Sequence, residues 1–349
     1  MNILFIGPYR QSDSWGNLSR SLLKSLSLIE DISITCRPVF LSNLPEQQNL
    51  NPNIFSFEAN KKEKYDVLIQ HMLPNYMLYN SNFETVIGVS SFETRRNRQW
   101  DNYLMLLDKV LVSTEAEKSG MSKEIRDKAH VIGGAVEVED SPTNNSTRFN
   151  FYTIAGGLET LGGTKNIIQA YCSEFHMNDN VTLVLQAEDP QKADAVISET
   201  LREIGIYNSG YYPHIHVVQG VEGLHEGCDC YIDASFSTGF NHNVAAALLK
   251  GNAPVVVKGS GRDELVTSEN GFIVDSYEDI MIYPDRPLAD MFTARETCFK
   301  PNILSLKSTL RDCFENKLEF IKKSRKGPES KEALSHAKQA SVIKEILCS

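Results

Sequence analysis

No apolar run in this chain approaches the ~20 residues that a bilayer-spanning helix requires. Basic charge is not in excess either. The 35 Lys and Arg stand against 45 Asp and Glu, a formal net charge of −10, which disfavours a broad grip on nucleic acid phosphates. Arg95, Arg96 and Arg98 are a local exception, readable as a solvated helix start or as a small basic patch. The first residues, Met1-Asn2-Ile3-Leu4-Phe5-Ile6-Gly7-Pro8, lack the basic head and small-residue cleavage site of a secretory signal and read as a first strand. The 7 cysteines are an odd number, and only Cys228 and Cys230 lie close together. No second Cys or His pair at metal-ligand spacing accompanies them, so no metal site is expected. Reduced thiols, with no targeting signal read in the sequence, make the cytoplasm the expected location. Internal repeats and low-complexity tracts are missing as well.

What is there is the material of an ordinary globular protein: 41% hydrophobic and 23% charged residues. A length of 349 residues exceeds one core and suits two domains. Short apolar runs alternate with amphipathic stretches, the rhythm of a parallel sheet flanked by helices. Strands are expected at 3–6, 32–36, 67–71, 85–89, 109–113 and 131–132, with a first crossover helix over Leu18–Leu26 after Gly16. The polar run 139–147 carries turn formers and no periodicity, and reads as a linker. The rhythm then restarts. Strands are expected at 149–155, 182–186, 216–218, 231–234, 254–258 and 272–274, and helices at 164–174, 191–204, 243–250 and 304–314. A helical, amphipathic tail is expected over Ser330–Leu347, set off by a chain break at Lys326-Gly327-Pro328. The expected organisation is α/β: a domain over 1–145, a second over 146–325 and a C-terminal helix over 326–349 returning to the first.

The most informative stretch runs from Cys230 to Gly251. A strand ends at Ala234, the polar loop Ser235-Phe236-Ser237-Thr238-Gly239-Phe240-Asn241-His242 follows, and a helix opens near Asn243. Such a loop delivers backbone N–H groups to a helix N-terminus, which favours an anion. Asn241 and Asn243 are good caps. Taken alone, the stretch is equally readable as a plain crossover without a ligand.

Ser235, Gly239, Phe240, Ala247, Gly251, Pro254-Val255-Val256, Gly261, Glu264 and Asn270-Gly271-Phe272 together resemble, in order and spacing, the donor segment of the family-four retaining glycosyltransferases. Upstream, Ala155-Gly156-Gly157-Leu158, Gly162-Gly163-Thr164, Phe92-Glu93-Thr94, Trp100 and Asp108–Ser113 extend the resemblance to nearly the whole chain up to about Lys317. The resemblance implies a GT-B fold, two Rossmann-like doubly wound domains facing a cleft. It implies transfer of a sugar from a nucleotide-sugar co-substrate to a carbohydrate or other hydroxyl-bearing acceptor, with retention and without metal or other cofactor. It places the donor at Gly156, Gly157, Gly162, Gly163, Thr238, Gly239, Phe240, Asn241, His242, Asn243 and Glu264, and also at the Gly220–Gly223 loop. It places the acceptor near Trp15, Gly16, His71 and Glu93.

This chain departs from the family at the charged positions. The two donor-site glutamates fall at Thr238 and Ala246, and the diphosphate-binding Arg-Lys pair at Leu161 and Gly162. Replacement cations are sought in Arg262 and Lys165, with Lys258 and His242 as further candidates. Arg262, Lys165 and Glu93 are thus the expected catalytic set. A GT-B protein without catalysis, serving as partner subunit or carbohydrate-binding scaffold, is the competing expectation. A transferase acting on a modified nucleic acid base is a third.

Overall fold

In the computed structural model, residues 1–349 are described apart from 42–45, 48–49, 80–81, 92–93, 96–98, 139–146, 156–162, 207–211 and 282–294. Two units separate. Met1–Val136 and Glu332–Ser349 belong to one, and the described residues of Glu137–Lys331 to the other.

The first unit holds strands β1 (Asn2–Gly7), β2 (Ser33–Pro38), β3 (Val67–His71), β4 (Thr85–Val89), β5 (Lys109–Val112) and β6 (Ala129–Val131), all parallel, in the order β2-β1-β3-β4-β5-β6. All five residues of β3 are buried, as in a strand covered on both faces. Helices α1 (Ser14–Leu26), α2 (Pro52–Ala59), α3 (Asp101–Leu104), α4 (Glu115–Gly120), α5 (Lys123–Arg126) and α12 (His336–Cys348) flank the sheet. The α1 helix starts where the Asp13 carboxylate accepts the Gly16 N–H at 2.8 Å. Leu18, Leu22 and Leu26 then fall on one buried face, each contributing about 1.5–3 kcal/mol. That face packs with Ile3, Phe5, Ile69 and Ile343 in one core cluster. Ser335 caps α12 at the Lys338 N–H, and Ser25 of α1 donates to Gln339 at 2.7 Å.

The second unit repeats the plan. Strands β7 (Phe149–Ile154), β8 (Val181–Gln186), β9 (His214–Val218), β10 (Cys230–Asp233), β11 (Val255–Val257) and β12 (Phe272–Val274) form a parallel sheet ordered β12-β11-β10-β7-β8-β9. Helices α6 (Thr164–Glu174), α7 (Pro190–Glu203), α8 (Leu224–Gly227), α9 (His242–Leu249), α10 (Ile303–Glu315) and α11 (Lys317–Lys326) accompany it. An antiparallel pair, β13 (Ser276–Ile280) with β14 (Thr297–Pro301), completes the unit.

The tail corrects one expectation. The α11 helix does end at Lys326, where the break was expected, but the tail helix does not start at Ser330. A 3-10 turn spans Gly327–Lys331, and α12 waits for its cap at Ser335. Gly327 is required for contact: a Cβ there would lie 2.2 Å from the Leu248 carbonyl oxygen. The β13–β14 pair and α11 were not expected. The proposed linker lies, but for Thr147, outside the described residues.

Candidate functional site

Strand order locates each site before any side chain is considered. In the first sheet β1 lies between β2 and β3; in the second β7 lies between β8 and β10. Where a parallel sheet reverses its winding, the loops leave adjacent strands on opposite faces and open a crevice at the carboxyl ends. Those crevices fall between β1 and β3 in one unit and between β7 and β10 in the other.

At the second unit's crevice, β10 ends at Asp233. Its carboxylate accepts the Ser235 N–H at 3.0 Å and Asn241 Nδ2 at 3.0 Å, and pairs with Arg262 Nε at 3.2 Å. Both side chains of that pair are 6% exposed. Arg262 also donates to the Ser237 carbonyl, to Ser237 Oγ at 2.9 Å and to the Ser260 carbonyl at 3.3 Å. Its guanidinium is therefore engaged inside the protein, holding the loop between β10 and α9. Within that loop Thr238 is buried, Gly239 has a φ of 109° and Phe240 meets His242 edge to face at 5.0 Å. The Asn241 side chain caps α9, accepting the Asn243 and Val244 N–H groups at 2.8 and 3.4 Å. Much of the α9 N-terminus is thus already satisfied by its own cap.

The start of α6 is different. Gly163 holds the left-handed conformation at φ 63°, and a Cβ there would lie 1.8 Å from the Ala234 carbonyl oxygen. Only glycine lets α6 begin this close to the end of β10. Among the described residues no side chain caps this helix. Thr164, its first residue, is 3% exposed, and its Oγ1 has no hydrogen-bond partner. At the carboxyl end of neighbouring β8, Gln186 is 4% exposed; its Nε2 donates to the Gln219 carbonyl at 2.9 Å while Oε1 has no partner. An uncapped helix start carries about half a positive charge and unmatched N–H donors. A buried hydroxyl left unmatched costs about 1–3 kcal/mol. An anion that accepts from Thr164 Oγ1 and from the α6 amides would relieve both.

In the first unit, β3 ends at His71, fully buried. Its Nδ1 lies 2.6 Å from Ser19 Oγ of α1, and its ring stacks on Trp15 at 5.0 Å and 6°. Its Nε2 has no partner. Burial drives the imidazole pKa down to about 3, so the ring is neutral near pH 7. At Gly16 a Cβ would lie 2.0 Å from the Gln11 carbonyl oxygen, so the turn into α1 needs glycine. The structure thus brings Trp15 and His71 together at the β1–β3 crevice, with Gly16 beside them.

The remaining sequence candidates scatter. Lys165 Nζ sits between Glu199 and Glu203, 3.2 Å from each, on an exposed face. Lys258 and Glu264 are exposed. Glu93, Gly156, Gly157 and Gly162 lie outside the described residues. Sequence reasoning missed Ser19, Asp233, Gln186 and the buried, unmatched hydroxyl of Thr164. Thr164 had a signal, its place directly after two glycines; Ser19 had one too, one helical turn beyond Trp15. Among the described residues no cluster of His, Cys, Asp and Glu could hold a metal ion.

No family model and no curated protein matches the chain by sequence. Solved structures do match it in fold. HepE of Anabaena, in complex with UDP and glucose, superposes with a TM-score of 0.66 at 13% identity, over 100% of both chains. Sucrose-phosphate synthase from Thermosynechococcus elongatus gives 0.64 at 12%, over 100% of this chain and 98% of its own. The lipopolysaccharide outer core galactosyltransferase WaaB gives 0.64 at 13%, over 100% and 99%. Two six-stranded parallel sheets of this order, matched over the whole length, define the GT-B fold.

Proposed function

We propose that this protein is a glycosyltransferase that moves a sugar from a nucleotide-sugar donor to an acceptor hydroxyl, with retention and without a metal. The observation that carries the reading is the start of α6: an uncapped helix N-terminus, pinned by Gly163 at the β7–β10 crevice and holding the buried, unmatched Thr164 hydroxyl. A diphosphate fits that demand, because its charge develops further as the sugar leaves and fixed N–H dipoles stabilise it. The second unit, over about 146–325, would hold the donor. The first, over about 1–145 with the C-terminal helix of 326–349, would hold the acceptor beside Trp15 and the neutral His71. Glu93 would contact the reacting hydroxyl, so Glu93→Ala would reduce transfer more than donor hydrolysis or donor binding. The 7 free cysteines suit a reducing cytoplasm.

With Arg262 committed to Asp233 and Lys165 to two glutamates, the leaving-group charge falls chiefly to the α6 dipole. The same occupancy favours a second reading, a GT-B protein without catalysis that serves as partner subunit or carbohydrate-binding scaffold. One experiment separates the two. A thermal-shift panel of nucleotide sugars, starting with UDP-glucose because HepE has been solved with it, identifies the donor. Release of free nucleotide then reports turnover. Binding with release supports transfer; binding without release, across a panel of hydroxyl acceptors, supports the scaffold. Failure of every nucleotide sugar to bind, with binding of a glycosyltransferase partner instead, refutes transfer and supports the scaffold.

A further inference from the structure

The α11 helix carries a face that the transfer reading does not use. Its inward side is firmly seated. Phe320 meets Phe149 at 5.0 Å and stacks on Phe272 at 6.2 Å and 16°. Lys323 Nζ lies 4.9 Å over the Phe272 ring and donates to the Ser268 carbonyl. Its outward side shows Leu318, Ile321, Lys322 and Arg325, spaced i, i+3, i+4 and i+7 and therefore on one face. Leu318 is 86% exposed and Ile321 45%, and with Lys322, Arg325, Lys326 and Glu329 they line a shallow groove.

The charge of this face opposes that of the chain. The chain carries −10, yet the exposed charges of Lys317–Lys331 are Lys317, Lys322, Arg325, Lys326 and Lys331 against Glu319 and Glu329 alone, Lys323 being turned inward. Lys322 is 3.7 Å from Glu319 and Lys326 3.1 Å from Glu329. Among the described residues, Lys317 and Arg325 have no ion-pair partner. Two apolar side chains standing among outward cations are the signature of a helix lying in the plane of a lipid interface, its apolar residues below the headgroups and its cations among them. Nucleic acid would use the cations but gain little from Leu318 and Ile321. A protein partner needs about 800 Å² per side, more than this single outward face readily provides. Because α11 is held by its own core contacts, docking would order little that is not ordered already.

We propose that the outward face of α11 is a docking surface for a membrane carrying anionic headgroups. Attraction would be short-ranged, acting within the ~8 Å Debye length at physiological salt, so the acidic remainder of the protein repels little. Each cation brought to such a surface raises partitioning about fivefold.

The test uses the full chain and co-sedimentation with phosphatidylglycerol–phosphatidylcholine vesicles, with pure phosphatidylcholine vesicles as the comparison. The expected result is binding to the former alone, weakened by added salt. Lys322→Gln/Arg325→Gln lowers it about 25-fold, and Leu318→Ser/Ile321→Ser about tenfold or more. These four side chains are exposed, so circular dichroism of the variants matches the parent. Absence of binding, equal binding to phosphatidylcholine alone, or binding that both variants retain each overturns the proposal. So does a dimer in sedimentation equilibrium that Leu318→Ser/Ile321→Ser dissociates without any vesicle binding, since the face then joins two copies of this chain.

Discussion

Replacing Thr164 by Val separates folding from ligand binding with opposite signs. The two side chains are isosteric and both β-branched, so helix propensity and shape hardly change. The hydroxyl is buried at 3% exposure and unmatched. Its removal therefore lifts a desolvation penalty, and the free protein gains up to about 1 kcal/mol. For a domain of this size that is a rise in Tm of roughly 2–4 °C. The same hydroxyl, donating to a phosphate oxygen, is worth about 1.5–3 kcal/mol, the range for hydrogen bonds to charged groups. Its loss weakens binding about 10- to 150-fold. The assays are urea denaturation of the free protein and isothermal titration with the nucleoside diphosphate that binds best. Unchanged affinity would refute the assignment of the α6 start as the phosphate site. A stability loss above about 1 kcal/mol would refute the premise, since it would mean that Oγ1 has a partner.

Gly163→Ala forces a left-handed conformation on a residue with a Cβ, costing about 1–2 kcal/mol, and adds a clash with the Ala234 carbonyl; thermal melts should show the loss, and titration should show nucleotide binding abolished. Arg262→Met leaves the Asp233 carboxylate buried and unpaired, so stability in urea should fall by about 3–5 kcal/mol. Asp233→Asn on top of it should recover part, and a single-variant loss below 1 kcal/mol would show that the pair does not hold the loop. Burial lowers the folded-state pKa of His71 to about 3 and of His225 to about 4, from 6.5. The unfolded chain therefore takes up protons first, and stability that is complete above about pH 6.5 falls as pH drops toward 4. The slope is about 1.4 kcal/mol per pH unit for each histidine. His71→Gln should remove about half of it between pH 6 and 5, and a pH-independent stability there would contradict both burials.

Local pattern set out much of the fold. The strands Val67–His71, Thr85–Val89 and Phe272–Val274 and the helix Thr164–Glu174 stand where apolar runs and 3.6-residue spacing put them. Their signals need no distant partner. The β13–β14 pair gave no such signal, because β13 is mostly exposed and its apolar residues do not alternate with polar ones; its partner strand lies beyond a long connection. In the same way, Gly239, Asn241 and Asn243 were legible as a loop into a helix, since capping is local chemistry.

Which crevice each loop enters was not legible. Strand order depends on pairings between residues far apart, and only those pairings put Gly163 against Ala234 and His71 beside Trp15. The cations show the limit most clearly. From the sequence, Arg262 and Lys165 were the residues to meet a leaving phosphate. Folding sets Arg262 against Asp233, 29 positions away, and Lys165 against Glu199 and Glu203 of a neighbouring helix. The chain alone determined that an anion-favouring loop and a glycine-led helix start exist. Only the tertiary structure decided which helix starts are capped by their own side chains and which charges are neutralised inside the fold, because a charge held in a buried pair, as Arg262 is against Asp233, is largely spent before a ligand arrives.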